Sequence, residues 1–561
     1  MGIPLYFKLL SEKYDDIIIS KINGCQALFL DLNCGIHPCC RKIMTEYNST
    51  NVSKDVLERK MINEVINYIE KLVQLTNTQM LYIAIDGVAP VAKMKQQRMR
   101  RYKSVYEKQQ DAKLRKEFNI EEAHDNWDTN AISPGTVFMN KLYKKILEEI
   151  NSDKYKYLDI HFDSSYVPGE GEHKILKYIR ENDINGNIVI YGLDADLIML
   201  AMSSQKSYIY LLREALEFGK VIDNKFLFLD IDALKCRLMM SLNDKLMERD
   251  STLALTDIQR LKIIDDYIFI CYLLGNDFIP NILSLNLRYD GHDIVLNNYL
   301  DIYINYQDNL VDTRKMKINK LFLGSLFRLL ASKENELLCK IAKKRKHFKV
   351  RYNDYSNMYE KIKQEIYHYP MTNREEEQKI NIGTQGWRSR YYDMCLNIYD
   401  EDDVSRCCLN YLEGMKWTFE YYFRGCCSWT WKYHYGHAPT LTDLSKYLDN
   451  HDINNIKFTK GRPYHASIQL MSILPKQSKY LIPSKFHHYM FDIDSPIISC
   501  FPETYKLDHV FKRYAWQCEP ILPDFNYELL HKLMKKHSLS ADEKEILNNR
   551  NIYVKNKIVT I

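Results

Sequence analysis

The sequence has no apolar run long enough to cross a membrane, and its first residues lack a charged segment followed by a long apolar one. A transmembrane helix needs roughly 20 consecutive apolar residues, so we expect no membrane span. Without an export signal, we expect the chain to stay inside the cell. N-myristoylation is also excluded, because Tyr6 stands where that signal requires Ser or Thr.

A disulfide framework is also lacking. The 14 cysteines are scattered, and some are adjacent in sequence, such as Cys39-Cys40 and Cys407-Cys408. This pattern is typical of reduced thiols in an intracellular protein. The segment from Cys34 to Cys40 also contains His37, but it crowds its possible ligands together and no distant Cys-x-x-Cys completes a tetrahedral zinc site.

The charge balance is nearly even. There are 78 Lys and Arg against 73 Asp and Glu, a formal net charge of +5, so any surface that binds nucleic acid must be a local patch. The 561 residues are 46% hydrophobic, which is enough to bury more than one core. A chain of this length is expected to form two or three domains.

Acidic residues stand at or just beyond the ends of several short apolar runs. Such runs predict buried strands of a parallel sheet, flanked by helices such as the one predicted over residues 54–75. Ligands bind at the carboxyl edge of such sheets, so we expect these acids to meet there. For any one of them, a helix N-cap is the alternative interpretation. The three runs and their acids are 27–32 with Asp31, 81–86 with Asp86, and 187–192 with Asp194 and Asp196 beyond it; a fourth acid, Asp277, follows the apolar stretch 267–274, for which no strand is predicted.

Two further acids, Glu170 and Glu172, lie among glycines in the sequence Pro-Gly-Glu-Gly-Glu-His-Lys at residues 168–174. Two buried carboxylates repel each other by roughly 4 kcal/mol at about 4 Å and an effective dielectric near 20. Such crowding is tolerated when a hard cation binds the carboxylates or when some of them stay protonated. Mg²⁺ held by carboxylates and by substrate phosphate oxygens is the usual reason. The sequence therefore predicts an enzyme that cuts phosphodiester bonds.

A basic run over residues 93–101 follows the strand that ends at Asp86. If the chain is helical from Pro90, four side chains share one face and offer an ammonium, an amide and two guanidiniums. Such a face suits a terminal phosphate. A solvated basic helix face is the alternative. The four residues are Lys93, Gln97, Arg100 and Arg101.

Short motifs extend the pattern along almost the whole chain. They occupy residues 1–7, 84–90, 93–101, 133–139, 167–174, 192–200, 212–214 and 275–280, with weaker similarity at 421–425, 428–431, 473–475 and 516–523. Together they resemble the Xrn family of 5′→3′ exoribonucleases, which are relatives of the flap endonucleases. The resemblance is to a compact member of the family, of the kind that a virus or a divergent eukaryote encodes.

The resemblance implies an α/β fold of the PIN and flap-nuclease kind. Its mainly parallel sheet would have flanking helices, and a mainly helical, aromatic-rich second region would follow. We expect a nuclease domain over residues 1–340, a basic and polar linker region over 341–384, and the second conserved region over 385–561. Between residues 107 and 130 we expect a projecting helix or a flexible excursion.

The resemblance also assigns roles to residues. Two divalent ions, Mg²⁺ or Mn²⁺, would be held by an acidic set that also carries the catalysis. His37 would stack on a base near the 5′ end, paired with either Trp429 or Trp431. The acidic set is Asp31, Asp86, Glu170, Glu172, Asp194, Asp196 and Asp277, and the 5′-monophosphate would be gripped by Lys93, Gln97, Arg100 and Arg101.

The activity implied is processive hydrolysis of single-stranded RNA with a 5′-monophosphate, releasing nucleoside 5′-monophosphates. We expect a monomer that acts in mRNA decay after a decapping enzyme, in the cytoplasm, with the nucleus as the other possible compartment. A flap-type structure-specific DNA nuclease and a catalytically inactive RNA-binding scaffold are the alternatives.

Overall fold

The computed structural model describes residues 6–47, 52–120, 127–217, 220–350, 357–538 and 553–555. Residues 1–5, part of one motif named above, lie outside these ranges. The strands are β1 Ile18–Ile19, β2 Ala27–Asp31, β3 Met80–Ala84, β4 Asp159–Asp163, β5 Ile188–Tyr191, β6 Ile209–Glu217, β7 Lys220–Asp230, β8 Val311–Asp312, β9 Lys317–Ile318, β10 Leu507–Asp508, β11 Glu519–Pro520 and β12 Tyr553–Lys555.

The helices alternate with the strands in the first half of the chain and predominate in the second. They are α1 Tyr6–Lys13, α2 Asn33–Glu46, α3 Lys54–Thr76, α4 Val91–Glu117, α5 Val137–Ile150, α6 Gly171–Glu181, α7 Asp196–Ser203, α8 Ile231–Arg249, α9 Asp257–Cys271, α10 Gly291–Tyr306, α11 Lys320–Lys346, α12 Met358–Thr372, α13 Glu375–Ile380, α14 Trp387–Leu396, α15 Glu401–Phe423, α16 Leu441–Asn450, α17 Ala466–Ile473, α18 His488–Phe491 and α19 Tyr527–Met534.

In the described part of the chain the main sheet has eight strands in the order β1-β7-β6-β5-β2-β3-β4-β12. The central strands β6, β5, β2, β3 and β4 run parallel, whereas β7, β1 and β12 pair antiparallel at the margins. The strands predicted over 27–32, 81–86 and 187–192 are β2, β3 and β5, and the helix predicted over 54–75 is α3. The predicted α/β fold with a mainly parallel sheet is confirmed.

The ends of the central strands are level with one another. Asp31 at the end of β2 is opposite Ala84 of β3, which is in turn opposite Asp163 of β4. Leu32 then donates its backbone N–H to the Ala84 carbonyl at 2.9 Å before the chain enters α2. Because parallel strands end at the same edge of a sheet, the acids that follow them emerge together.

Both faces of the sheet are buried, as expected for parallel strands with helices on each side. Side chains alternate between the faces, so that Phe29 and Tyr82 belong to one core and Leu30 and Ile83 to the other. The first core continues into the helical second region and includes residues of α15 such as Trp417. The sheet and the second region therefore share one continuous core.

The second region is helical and aromatic-rich, as predicted. Its longest helix, α15, begins at Asp400, whose side chain accepts a hydrogen bond from the Asp403 backbone N–H. The predicted division near residue 340 falls inside α11, and the stretch predicted as a linker contains α12 and α13. The division into 1–340, 341–384 and 385–561 thus stays a prediction from composition.

Helix α4 begins directly after Pro90, as the basic run predicted, and extends to Glu117. Its far end is not isolated, because Tyr359 of α12 donates its hydroxyl to Asp111 at 2.9 Å. Part of the excursion expected over 107–130 is therefore the end of this helix, and residues 121–126 lie outside the described ranges. Within those ranges, the helices are all too short or too polar to span a bilayer.

Candidate active site

The candidate site is built first on the ends of β2 and β3. Asp31 is only 6% exposed and accepts a hydrogen bond from Cys34 Sγ at 3.2 Å. The Asp86 backbone N–H donates to Asn33 Oδ1 at 3.0 Å, and Asp86 Oδ1 accepts from the Gly171 backbone N–H at 2.7 Å. The start of α6 is thereby tied to both strand ends.

Two glycines allow this close approach. A Cβ atom on Gly171 would lie 2.7 Å from Asp31 Oδ1, and one on Gly87 would lie 1.8 Å from the Val167 carbonyl oxygen. Gly87 and Gly169 also hold the two loops together, since the Gly87 N–H donates to the Gly169 carbonyl at 2.9 Å. Packing thus requires glycine at 171 and 87, whereas at Gly169 the φ of +112° favours it.

Most of the remaining acids are buried around one lysine, whereas Asp194 is exposed. Glu170 is 4% exposed, Glu172 8% and Asp196 6%. The Lys93 ammonium lies 2.5 Å from Glu170 Oε2 and 2.7 Å from Asp277 Oδ2. The structure thus places Lys93 among the carboxylates, on the first turn of α4.

The carboxylates interact strongly with one another. Burial first, and then the charges of Asp86 and Asp194, raise the pKa of Asp31 well above its usual range. The pKa of Asp196 is raised to about 7 by burial and by Asp277.

Glu172 and Lys93 complete this electrostatic network. Burial raises the pKa of Glu172 well above its usual range, against the opposing charge of Lys93 and with smaller contributions from Glu170, Asp194 and Asp196. Burial alone would lower the pKa of Lys93, but the carboxylates of Asp277 and Glu170 hold it well above its usual range. Such interactions connect all seven acids named in the sequence.

The donor set fits a hard divalent cation. Three buried carboxylate oxygens, Asp31 Oδ1, Glu172 Oε2 and Asp196 Oδ1, have no hydrogen-bond partner among the described residues. Unpaired carboxylate oxygens and raised pKa values are what a cation would relieve. Among the same residues, no three His, Cys, Asp or Glu side chains are close enough together to coordinate one metal ion. The positive charge beside the carboxylates comes from the Lys93 ammonium.

The basic run on α4 is divided by its contacts. Lys95 donates to the carbonyl oxygens of Tyr433 and Tyr435, and the buried Arg98 donates to those of Pro523 and Cys500. These two cations brace α4 against the second region and are not available to a ligand.

Gln97 and Arg101 are positioned by side chains outside the run. The fully buried Gln469 donates to Gln97 Oε1 at 3.1 Å and accepts from the Ala89 backbone N–H. The orientation leaves the Gln97 amide nitrogen as a donor. Arg101 Nη2 donates to Ser133 Oγ at 2.7 Å, and burial followed by the charge of Arg100 lowers the pKa of Arg101 to about 10. Arg100 itself is exposed.

His37 on α2 lies within the electrostatic reach of this basic face. Its side chain retains an exposed surface. The protein atoms around its ring, and then the positive charges of Arg100 and Arg101, lower its pKa to about 4. The imidazole is therefore neutral at physiological pH, which suits a ring that contacts a base.

The two candidate tryptophans have different surroundings. Trp431 donates its indole N–H to Glu413 at 3.1 Å and stacks on Trp417 with ring centroids 5.3 Å apart. Trp429 is half-buried, and within the described residues its indole has neither a ring contact nor a hydrogen bond. Its backbone carbonyl accepts from the N–H of Val91, so it stands at the start of α4.

Three positioning residues were not named from sequence. Tyr421 donates its hydroxyl to Glu170 Oε1 at 2.8 Å, and Gln469 and Ser133 hold Gln97 and Arg101. Tyr421 and Ser133 lie in segments that carry the family resemblance, and this resemblance is the sequence signal by which they could have been found. Gln469 lies outside those segments and had none.

Two family models match the chain. The one described as the XRN 5′-3′ exonuclease N-terminus matches residues 1–215, and the one described as the Xrn1 helical domain matches residues 256–373 and 342–560. The second alone covers more than half of the chain.

Similar curated proteins extend over almost all of the chain. The 5′-3′ exoribonuclease 1 of Schizosaccharomyces pombe is 27% identical over 98% of this chain and 50% of its own length. The human 5′-3′ exoribonuclease 1 is 29% identical over 97% of this chain and 35% of its own length. The 5′-3′ exoribonuclease 2 homolog of Drosophila melanogaster is 25% identical over 99% of this chain and 74% of its own length. The chain thus spans half or less of these two exoribonuclease 1 proteins.

Proposed function

The chain belongs to the XRN 5′-3′ exonuclease family, and from this premise we propose that it is a metal-dependent 5′→3′ exoribonuclease. The supporting observation is that seven acids share one electrostatic network, which is largely buried and has Asp194 at its exposed side, with Gln97, Arg100 and Arg101 on the adjoining helix. The substrate is single-stranded RNA with a 5′-monophosphate. The products are nucleoside 5′-monophosphates, released processively.

Metal dependence is general in this family, and we propose two ions, Mg²⁺ or Mn²⁺. The ligands are Asp31, Asp86, Glu170, Glu172, Asp194, Asp196 and Asp277. When bound, such ions activate water and stabilise the leaving oxygen. The protein's own contribution is to hold the carboxylates in a largely buried cluster, with Lys93 between Glu170 and Asp277 offsetting their charge.

End selection depends on the basic face beside the acids. Arg101 and the Gln97 amide are already oriented by Ser133 and Gln469, so each can donate to a terminal phosphate without a large loss of side-chain entropy. Arg100 and Lys93 add positive charge on the same helix. A cap or a triphosphate should not fit beside these groups, so the RNA must first be decapped.

The RNA is held by stacking as well as by charge. His37 supplies one neutral ring, and Trp429 supplies the other, because within the described residues its indole has no ring contact or hydrogen bond whereas Trp431 stacks on Trp417. Each base–ring stack contributes about 1–3 kcal/mol and tolerates any base. We place this activity in cytoplasmic mRNA decay, after a decapping enzyme, with the protein as a monomer.

The deciding experiment compares RNA labelled at its 3′ end and carrying a 5′-phosphate, a 5′-triphosphate or a 5′-hydroxyl. With Mg²⁺, the 5′-phosphate RNA should be degraded to mononucleotides, and chelation should stop the reaction. Asp194→Ala serves as the inactive control. Equal rates on all three ends, internal cleavage, or a preference for a DNA flap would contradict the proposal.

A further inference from the structure

A cavity of about 360 Å³ lies beside the candidate active site, against the face of α4 that carries Gln96, Arg100 and Lys103. Its other walls come from residues 274–281, 286–289 and 510–520. Gln97 and Arg101, on the neighbouring face of the helix, do not line it. The volume falls in the range of roughly 300–1,000 Å³ that small-molecule sites occupy.

The cavity shares part of its wall with the acidic site. Asp277, which forms an ion pair with Lys93, lines it, and so does Arg100. An occupant of the cavity therefore lies close to the carboxylates.

The lining carries polar side chains on three separate segments, with Gln96 on α4, Asn276 in the 274–281 segment and Arg513 in the 510–520 segment. Gln96 Oε1, Asn276 Nδ2 and Arg513 Nε have no hydrogen-bond partner among the described residues, but these atoms are themselves buried. The amides of Gln96 and Asn276 each carry a donor and an acceptor, so the lining has both kinds of hydrogen-bonding group.

The wall is also cationic. The charge of Arg345 is already offset by Glu377, and the charge of Lys512 by Asp508 and Glu519. Arg288 and Arg513 are not, since neither forms an ion pair within the described part of the chain. Their guanidiniums lie against rings, Arg288 over Tyr514 at 5.3 Å and Arg513 over Phe348 at 4.4 Å. These two charges favour an anionic group such as a phosphate.

Aromatic surface completes the site. Trp516 lines the cavity and is 39% exposed, and Tyr289 lines the same region. An exposed indole beside unpaired cations suits a heterocyclic base attached to a phosphate.

We propose that this cavity binds a nucleoside 5′-monophosphate, with the phosphate at Arg288 and Arg513 and the base at Trp516. The inference rests on the proposed function, because such a nucleotide is the product of that reaction. Water attacks the phosphorus between the first and second nucleotides, and the bond from that phosphorus to the 3′-oxygen of the first nucleotide breaks. The 3′-oxygen takes up a proton, and the released nucleotide keeps its own 5′-phosphate. The occupied cavity retains that product beside Asp277 and slows the next cycle.

The test is calorimetric titration of the full chain with adenosine 5′-monophosphate, and with adenosine and inorganic phosphate separately. Arg288→Gln and Arg513→Gln keep most of the side-chain stem but remove the charge. Each should weaken nucleotide binding about tenfold, the effect of losing one charge-assisted hydrogen bond. Arg59→Gln, an exposed position on α3, is the matched control and should not change it. Neither adenosine nor phosphate alone should match the nucleotide.

The nucleotide could instead bind in the 5′-phosphate pocket, and Arg101→Gln distinguishes this location from the cavity. If Arg101→Gln abolishes nucleotide binding while Arg288→Gln and Arg513→Gln do not affect it, the cavity assignment is wrong. Absence of nucleotide binding to the wild-type chain overturns it as well. Trp516→Ala, which removes the exposed indole assigned to the base, replaces either variant that fails to fold and should also weaken nucleotide binding.

Hydrolysis of 5′-phosphorylated RNA, measured on the same preparations, separates this inference from the proposed function. Hydrolysis without nucleotide binding overturns the cavity alone. Nucleotide binding without hydrolysis of any RNA overturns the proposed function and the product role. Both proposals are supported if added adenosine 5′-monophosphate inhibits hydrolysis and if Arg288→Gln needs about tenfold more nucleotide for the same inhibition.

Discussion

The Tyr421 hydroxyl donates a hydrogen bond to Glu170 Oε1 at 2.8 Å, although the two residues are 251 positions apart. The Tyr421 ring also stacks on His173, with ring centroids 3.6 Å apart. A helix of the second region therefore contacts the acidic loop directly, through one hydrogen bond and one ring pair. The second region is part of the candidate active site.

Tyr421→Phe keeps the ring but removes this donor from Glu170. The ionised carboxylate loses stabilisation, so the pKa of Glu170 should rise further and metal affinity should fall about tenfold, as for other groups that orient metal ligands. We expect lower turnover at limiting Mg²⁺ and recovery at high Mg²⁺. Tyr489→Phe, which loses a 3.2 Å bond to the Leu533 carbonyl in a separate cluster, is the control. Equal behaviour of the two variants would show that the Tyr421 bond is only structural.

Replacement of a clustered acid should separate activity from stability. Asp196→Asn should reduce hydrolysis at least about a hundredfold while leaving the melting temperature unchanged or higher, because it relieves repulsion with Asp277. The matched variant is Asp163→Asn at the end of β4, where Lys174 lies 2.9 Å away in a buried ion pair. That change should cost about 3 kcal/mol of unfolding free energy. Near-normal Mg²⁺-dependent turnover in Asp196→Asn would contradict the metal assignment.

The divided basic run on α4 makes opposite predictions for two arginines. Arg101→Gln should reduce the preference for 5′-phosphate over 5′-hydroxyl RNA about tenfold, since one charge-assisted bond is lost, with little change in melting temperature. Arg98→Gln should lower the melting temperature and leave the preference intact, because Arg98 donates to the carbonyls of Pro523 and Cys500. Competition between the two RNAs measures the preference. An unchanged preference in Arg101→Gln would mean that this face is merely solvated.

His37 should titrate near pH 4, against an ordinary value of 6.5. Because its folded-state pKa is lowered, the unfolded chain binds more protons between these values, and the His37 contribution makes stability fall as the pH drops from about 6.5 towards 4. His37→Gln should remove that part of the pH dependence. Ring-proton resonances in NMR give the midpoint, which should rise when inorganic phosphate binds beside Arg100 and Arg101. A midpoint near 6.5 would contradict this environment.

Substitution of the two tryptophans should have different effects, one on stability and the other on digestion of structured RNA. Trp431→Ala should cost about 3 kcal/mol of stability, because it removes the ring stacked on Trp417 and the bond to Glu413. Trp429→Ala should fold normally, still cut short single strands, and stall at an internal hairpin, as should His37→Ala. Melting curves and digestion of matched hairpin and unstructured RNAs distinguish the cases. A hairpin stall in Trp431→Ala alone would reverse the assignment.

The local elements followed directly from the sequence. Apolar runs at 27–32, 81–86 and 187–192 became β2, β3 and β5, and Pro90 marked the start of α4. Burial pattern and proline restrict the backbone over a few neighbouring residues, so these features can be read one segment at a time. The acids at the strand ends could be grouped for the same reason, because parallel strands end at one edge.

The contacts within the site depended on the tertiary structure. Sequence spacing placed Lys93, Gln97, Arg100 and Arg101 on one helix face, but packing put the Lys93 ammonium between Glu170 and Asp277. Packing likewise placed the partly buried Trp431 against the core and, within the described residues, left Trp429 without a ring partner. Such differences arise where side chains from distant segments compete for the same space and the same hydrogen-bonding atoms. The sequence by itself determined which groups stand at the sheet edge and on α4. Only the folded chain decided which of them touch, because contacts such as those of Lys93 with Glu170 and Asp277 join different segments of the chain.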